Sequence, residues 1–188
     1  MRIFLTIITS ILIITGYNRN VSCLEQTDKY NNFHISHEFI DAFYSFNRDR
    51  LKTILTQTDE SSLQFIMYYQ AWAQCANYEI IKCHDHIERN DSLVICPVTV
   101  KDDLIVALDL DFNVTDTFHL TIVNGRIKSI QTSSNDPDLY YQAKEWVKQN
   151  RPELINEPCE RIWEGGPTPC ECVKAMVKGF TEFKARKN

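Results

Sequence analysis

The sequence predicts an α+β fold: an antiparallel sheet packed on N-terminal helices, followed by a helical extension. Three observations predict it. Residues 36–78 carry apolar side chains at helical spacing, residues 80–132 switch to the two-residue period of strands, and residues 136–183 return to helical spacing. The sharpest local signal is Thr117–Thr132, two strand-like runs joined by Asn124-Gly125. That dipeptide suits a type I′ turn, which needs φ > 0 at both central positions. Before the turn Phe118, Leu120 and Ile122 alternate with His119, Thr121 and Val123. After it Ile127 and Ile130 sit among Lys128, Ser129 and Gln131.

From the N-terminus, Arg2 precedes an apolar and hydroxylic run, Ile3–Thr15, and then the polar stretch Gly16–Asn20. A basic start, a short apolar core and a polar end describe a secretory signal peptide over residues 1–23, cleaved after Ser22 or Cys23. The run falls short of the roughly 20 apolar residues that span a membrane, so no membrane association is expected after cleavage. The main domain is then 24–135 and the extension 136–188.

Asn31–Ser36 reads as a lead-in. Ser36 is a plausible N-cap, with Glu38 in the first turn and Phe39, Ile40, Phe43 and Phe46 as the buried stripe. A second short helix carries Leu51, Ile54 and Leu55. Thr58-Asp59-Glu60 starts a longer one, with Phe65, Tyr69, Trp72 and Ala76 on its apolar face. Gln70, Gln74 and Asn77 form a polar stripe, and the helix fades near Tyr78. Ile80–Arg89 and Ser92–Lys101 read as a strand pair turning at Asn90-Asp91, with Pro97 marking an edge or a bulge. Leu104–Phe112 is an apolar run, a strand or a loop packed on the sheet. Asp136-Pro137-Asp138 opens a helix whose stripe is Leu139, Tyr140, Ala143, Trp146 and Val147, ending at Arg151-Pro152. Pro152–Glu157 adds one turn. Thr168-Pro169-Cys170-Glu171 is a capping box for a last helix with Val173, Met176, Val177, Phe180 and Phe183 inward.

Hydrophobic content of 44% supports a buried core, and a net charge of −5 argues against nucleic acid as a partner. Removal of Cys23 leaves Cys75, Cys83, Cys96, Cys159, Cys170 and Cys172, an even set that suits disulfides in an exported chain. Cys83 and Cys96 lie on proposed neighbouring strands and pair if register brings them opposite. Cys159, Cys170 and Cys172 could staple the extension, with Cys75 among the options. In a helix Cys170 and Cys172 point to nearly opposite sides, so different partners are expected for them. Asn90 and Asn113 head N-glycosylation sequons, so the chain reads as a secreted, extracellular glycoprotein.

The order helix, short helix, long helix, then antiparallel strands resembles the nuclear transport factor 2-like superfamily, and within it the SnoaL-like polyketide cyclase relatives. The resemblance covers about residues 36–134. It is carried by Phe39–Phe46, by Tyr68–Trp72 within FIMYYQAWAQCANYEII, and by the hairpin NGRIKSI. The extension Asp136–Asn188 departs from the minimal family pattern. The resemblance implies a curved sheet wrapped around helices, forming a cone with an apolar pocket between them. Tyr44, Tyr69, Trp72 and Phe118 are the pocket residues it suggests. It also implies pairing of two copies through the open sheet face. It assigns no catalytic residue, because the superfamily hosts isomerases, dehydratases, hydrolases and proteins without chemistry.

Candidate chemistry rests on few residues. His84-Asp85-His86 on a strand places both imidazoles on one face, about 6.5–7 Å apart. They could hold Zn²⁺ only with a third ligand such as Asp109, Asp111 or His119, and no spacing fixes one, so no metal and no cofactor is expected. His119 faces pocket or solvent according to register. Asp109 and Asp111 would serve as a base only against apolar walls. With no nucleophile elbow, phosphate loop or HExxH, the expected function is a small-apolar-ligand-binding or scaffold module. The alternative is a cofactor-free isomerase, dehydratase or hydrolase using His and Asp in the cone.

Overall fold

The computed structural model describes residues 19–73, 75–88, 91–160 and 170–187, and of 19–30, 71, 75–77, 86–88 and 91 the backbone alone. The expected signal run before residue 19, Asn90, and the capping box at Thr168 lie outside the described residues. Mixed helix and antiparallel sheet, the expected class, is what the chain forms.

Helix α1 spans Arg19–Tyr44, longer than expected. Ser36 does not cap it. Its hydroxyl donates to the Asn32 carbonyl, four residues back, and so bonds within the helix. The helix also runs through both expected cleavage points. Helix α2, Arg48–Ile54, is capped by Asn47. Helix α3, Glu60–Trp72, is capped by Asp59, whose carboxylate accepts from the Ser62 amide. Short bonds from Ser61 and Ser62 hold that carboxyl down to about 2. The helix stops at Trp72, not near Tyr78, because Cys75–Ile80 is strand β1. The expected polar stripe is not solvated at Gln70. That side chain is buried and donates to the Ala42 and Phe43 carbonyls at the end of α1, where regular helix bonding runs out.

The expected single strand from Ile80 to Arg89 is two. Strand β1 ends at Ile80 and β2 is His84–Glu88. Both pair with the long β3, Asp91–Asp102: β1 along its second half, β2 along its first. Pro97 sits at the break between them, where a missing N–H costs no ladder bond, and its carbonyl accepts from Ile81. The run after β3 begins as helix α4, Asp103–Ala107, capped by Asp102, and continues as a turn and loop through Phe112. Strands β4, Val114–Val123, and β5, Arg126–Ser134, complete the sheet in the order β1-β3-β4-β5, with β2 beside β3. Asn124 (φ 51°) and Gly125 (φ 68°) form the expected turn.

The inner sheet face carries Val94, Cys96, Val98, Val114, Phe118 and Leu120, all buried. Phe39 and Phe43 of α1 meet Phe118 edge-on, with ring centroids 5.4 and 5.2 Å apart. Helices α5 (Asp138–Asn150), α6 (Pro152–Ile155) and α7 (Cys170–Lys187) form the extension. Pro137 occupies the N-cap of α5, one residue later than expected. Helix α7 packs on α3, α4, α5 and α6.

Disulfides join Cys83 to Cys96 and Cys159 to Cys172. The first follows from register, since His84 pairs with Ile95 and the next residues along are the two cysteines. The second staples the end of α6 to α7. Cys170 is an exposed free thiol, against the expectation that both Cys170 and Cys172 are bridged. The side chain of Cys75 lies outside the described residues.

Candidate functional site

Strand β4 sorts the candidates. Its burial alternates strictly, with Val114, Asp116, Phe118, Leu120 and Ile122 inward. Register then carries one row outward across four strands: His84, Ile95, His119 and Gln131. His84 is exposed. His119 faces away from the core, with Nε2 3.4 Å from Ser133 Oγ. His86 shares the strand, but its side chain lies outside the described residues. Asp109 and Asp111 are exposed at the other end of the sheet, beside Lys184 and Lys101 at 3.9 and 4.0 Å. His84 and His119 are therefore on the outer face, apart from the exposed Asp109 and Asp111. Among the described residues no three His, Cys, Asp or Glu side chains are grouped to hold a metal ion.

Three of the four expected pocket residues, Tyr44, Tyr69 and Phe118, meet around Phe43, while Trp72 lies against Tyr68. Phe118 is fully buried, and Tyr44 and Trp72 are nearly so. The Tyr44 ring stacks on Tyr78 at 4.8 Å and meets Phe43 edge-on at 4.9 Å. Tyr69, half-buried, stacks on the exposed Phe65 at 5.8 Å.

At their polar centre is a residue the sequence reading passed over. Asp116 is 4% exposed and sits on the inner face of β4. Its two carboxylate oxygens accept from the Tyr44 hydroxyl at 3.0 Å and the Tyr69 hydroxyl at 3.1 Å. One carboxyl thus clasps α1 and α3 to the sheet. Burial raises the Asp116 carboxyl above its ordinary range, the two phenols oppose that, and the Asp136 carboxylate adds to it. Burial likewise raises Tyr69, with Asp116 and Asp136 adding repulsion, and Asp136 itself. Asp102, capping α4, is pushed up to about 7, mainly by burial and against the pull of the Ile105 amide. Lys144 on α5 is lowered by burial and lies over the Trp72 ring, 5.0 Å from its centroid. The signal was present in the sequence: Val114, Asp116, Phe118 is an acid within an apolar alternation, and it lies one residue before the segment read as hairpin. Tyr78 was assigned to the end of a helix; on β1 its hydroxyl donates to Asp41 Oδ1 at 2.5 Å. Desolvation, then that bond, moves it up to about 12. Asp41 is therefore a partner in a bond between elements, not a solvated helix acid.

A groove of about 370 Å³ runs between α1, α2 and the β4–β5 turn, and a recess of about 500 Å³ adjoins it along β5. Asn113, the second sequon residue, is exposed in the link before β4. Among the described residues no helix is long and apolar enough to cross a membrane. No family model, curated protein or solved structure matches the chain.

Proposed function

We propose that the chain is an exported scaffold or binding module of the nuclear transport factor 2-like kind, whose working surfaces are on its outside. One observation carries this reading: the inner face of the sheet packs the protein's own rings, while the central stretch of the outer face carries no Asp, Glu, Lys or Arg, the exposed Glu79, Lys101 and Arg126 lying at its margins. The central outward residues of β3 and β4 are Leu93, Ile95, Pro97 and Thr99, then Thr115, Thr117, His119 and Thr121. A second copy of a chain with net charge −5 would meet little like charge there. Four strands at about 4.8 Å spacing, each running about 30 Å, give roughly 600 Å² per copy, or about 1,200 Å² in total. That is the lower end for a specific pair. The cone shape and SnoaL-like kinship are part of this proposal, supported by element order and by helices on one face. So is the extracellular setting, supported by the two disulfides.

The test is sedimentation velocity of the secreted protein and of Ile95→Lys. The reading expects a dimer that the substitution dissociates by at least ten-fold in affinity. A monomer at all concentrations removes the pairing. Native mass spectrometry of the same samples checks the interior, where a retained small apolar molecule would restore the pocket reading.

A further inference from the structure

The groove and the recess share Gln57, Asn124, Arg126 and Ile127, and form one continuous depression. Three features built by the backbone meet in it. The first is the β4–β5 turn. A Cβ added at Gly125 would lie 3.0 Å from Asn31 Nδ2, so α1 approaches the turn as closely as a glycine permits. This brings the carboxamides of Asn31, Gln57 and Asn124 together from three separate elements. The second is a register shift between β4 and β5 at Thr121–Ile122, which leaves Lys128 without a partner residue on β4. A shift of this kind re-aims the side chains beside it. Arg126 and Lys128 are both exposed and line the recess. Among the described residues neither has a carboxylate within ion-pair distance. The acid across the groove, Glu38, has His34 as its neighbour at 3.8 Å.

The third feature excludes one class of ligand. An extended peptide would bind here by adding a strand to β5. That edge is already occupied. Asp59 N–H donates to the Lys128 carbonyl at 3.0 Å, the Thr58 hydroxyl to the Ile127 carbonyl at 2.9 Å, and the Ile130 amide to Ser62 Oγ at 3.1 Å. Side chains alone remain to bind a guest. They are carboxamides, the hydroxyls of Thr53 and Thr56 and the Glu38 carboxylate on the α1 wall, over an Ile35–Ile54 floor, with two cations at the other end. Carboxamides give donor and acceptor together, which suits vicinal hydroxyls; the cations suit a carboxylate or sulfate.

We propose that this depression binds an acidic saccharide, its anionic group between Arg126 and Lys128 and its hydroxyls on Asn31, Gln57 and Asn124. The site is independent of the sheet-face reading, and either stands if the other fails.

The experiment is an NMR titration of the ¹⁵N-labelled, disulfide-intact chain with a heparin disaccharide and with sialyllactose. Lactose, inorganic sulfate and a tetra-glutamate peptide serve as controls. The proposal expects saturable shifts at the Asn31, Gln57 and Asn124 carboxamides with at least one acidic sugar. It expects far weaker shifts with lactose. Affinity should fall about three- to five-fold in Arg126→Ala and in Lys128→Ala, and fall further as salt is raised. Both positions are exposed, so the variants should keep the parent spectrum elsewhere. Absence of saturable shifts overturns the proposal. So does equal response to inorganic sulfate or to the peptide, which would make Arg126 and Lys128 an ordinary solvated cation pair. Unchanged affinity in both variants overturns it too.

Discussion

Asp116 breaks the apolar alternation of β4 at one of the least exposed places in the chain. A buried carboxyl is tolerated only where donors meet it, and two phenols do. Tyr44→Phe removes one of them and leaves an oxygen without its donor. We expect a loss of about 1–3 kcal/mol in a urea titration. A loss below half a kcal/mol would mean that the clasp carries little. The acids around it set the direction of pH dependence. Asp102 moves from an ordinary value of 3.8 up to about 7 on folding, and Asp116 and Asp136 move the same way. The folded chain therefore binds more protons than the unfolded one across that interval. Their contribution to stability is complete below about pH 4 and is lost as pH rises through 7. The melting temperature should fall between pH 5 and pH 8. Asp102→Asn, which keeps the helix cap, should flatten part of that fall. A melting temperature that rises over this range would refute the assignment. At this scale the sequence was half legible. The inward row of β4 could be read from its period, but whether an acid in that row is paired depends on tyrosines 72 and 47 residues away.

Element by element, the apolar periods located the helices and strands, and their ends were decided by partners. Ser36 was read as a cap because its type suits one; inside α1 it bonds back instead. The third helix stops early because β3 offers Cys75–Ile80 an antiparallel neighbour. The stretch after β3 turns helical because Asp102 supplies the cap and Leu104, Ile105 and Leu108 find the core on one side. The Ser36 and Asp102 bonds are local, whereas the end of α3 depends on a distant strand. In the extension, α5 and α7 touch at Gly179, where a Cβ would lie 2.5 and 2.8 Å from Val147 Cγ2 and Cγ1. Gly179→Ala gains about 1 kcal/mol of helix propensity and meets an overpacking cost of about 1–3 kcal/mol. We expect a net loss of up to about 2 kcal/mol in chemical denaturation, recovered in large part by adding Val147→Ala. Failure of the second substitution to recover stability would place the cost elsewhere.

For the whole molecule, the class was legible and the depression beside the β4–β5 turn was not. No periodicity marks a groove whose walls come from α1, the link after α2 and a hairpin turn. The Cys83–Cys96 pair was readable once the strands were, because a one-residue slip would have put the two sulfurs on opposite faces. The partner of Cys172 was left open among several, since helix spacing says only that Cys170 points elsewhere. Replacing Cys159 and Cys172 by serine opens a 13-residue link. It should cost about 2–4 kcal/mol, measured by thermal unfolding beside the parent. A melting curve that overlays the parent's would show that the extension is held by its packing alone.

The interruption of the sheet margin at Ile81–Cys83 has a bearing on behaviour in concentrated solution. Strands β1 and β2 are short and stop on either side of a crosslink, and the far margin along β5 is already hydrogen-bonded to the start of α3. Neither border presents a long ribbon of idle amides on which another molecule's strand could template. Oxidised protein should accordingly resist fibril growth, and that protection on the β1–β2 side should weaken once reductant frees the border.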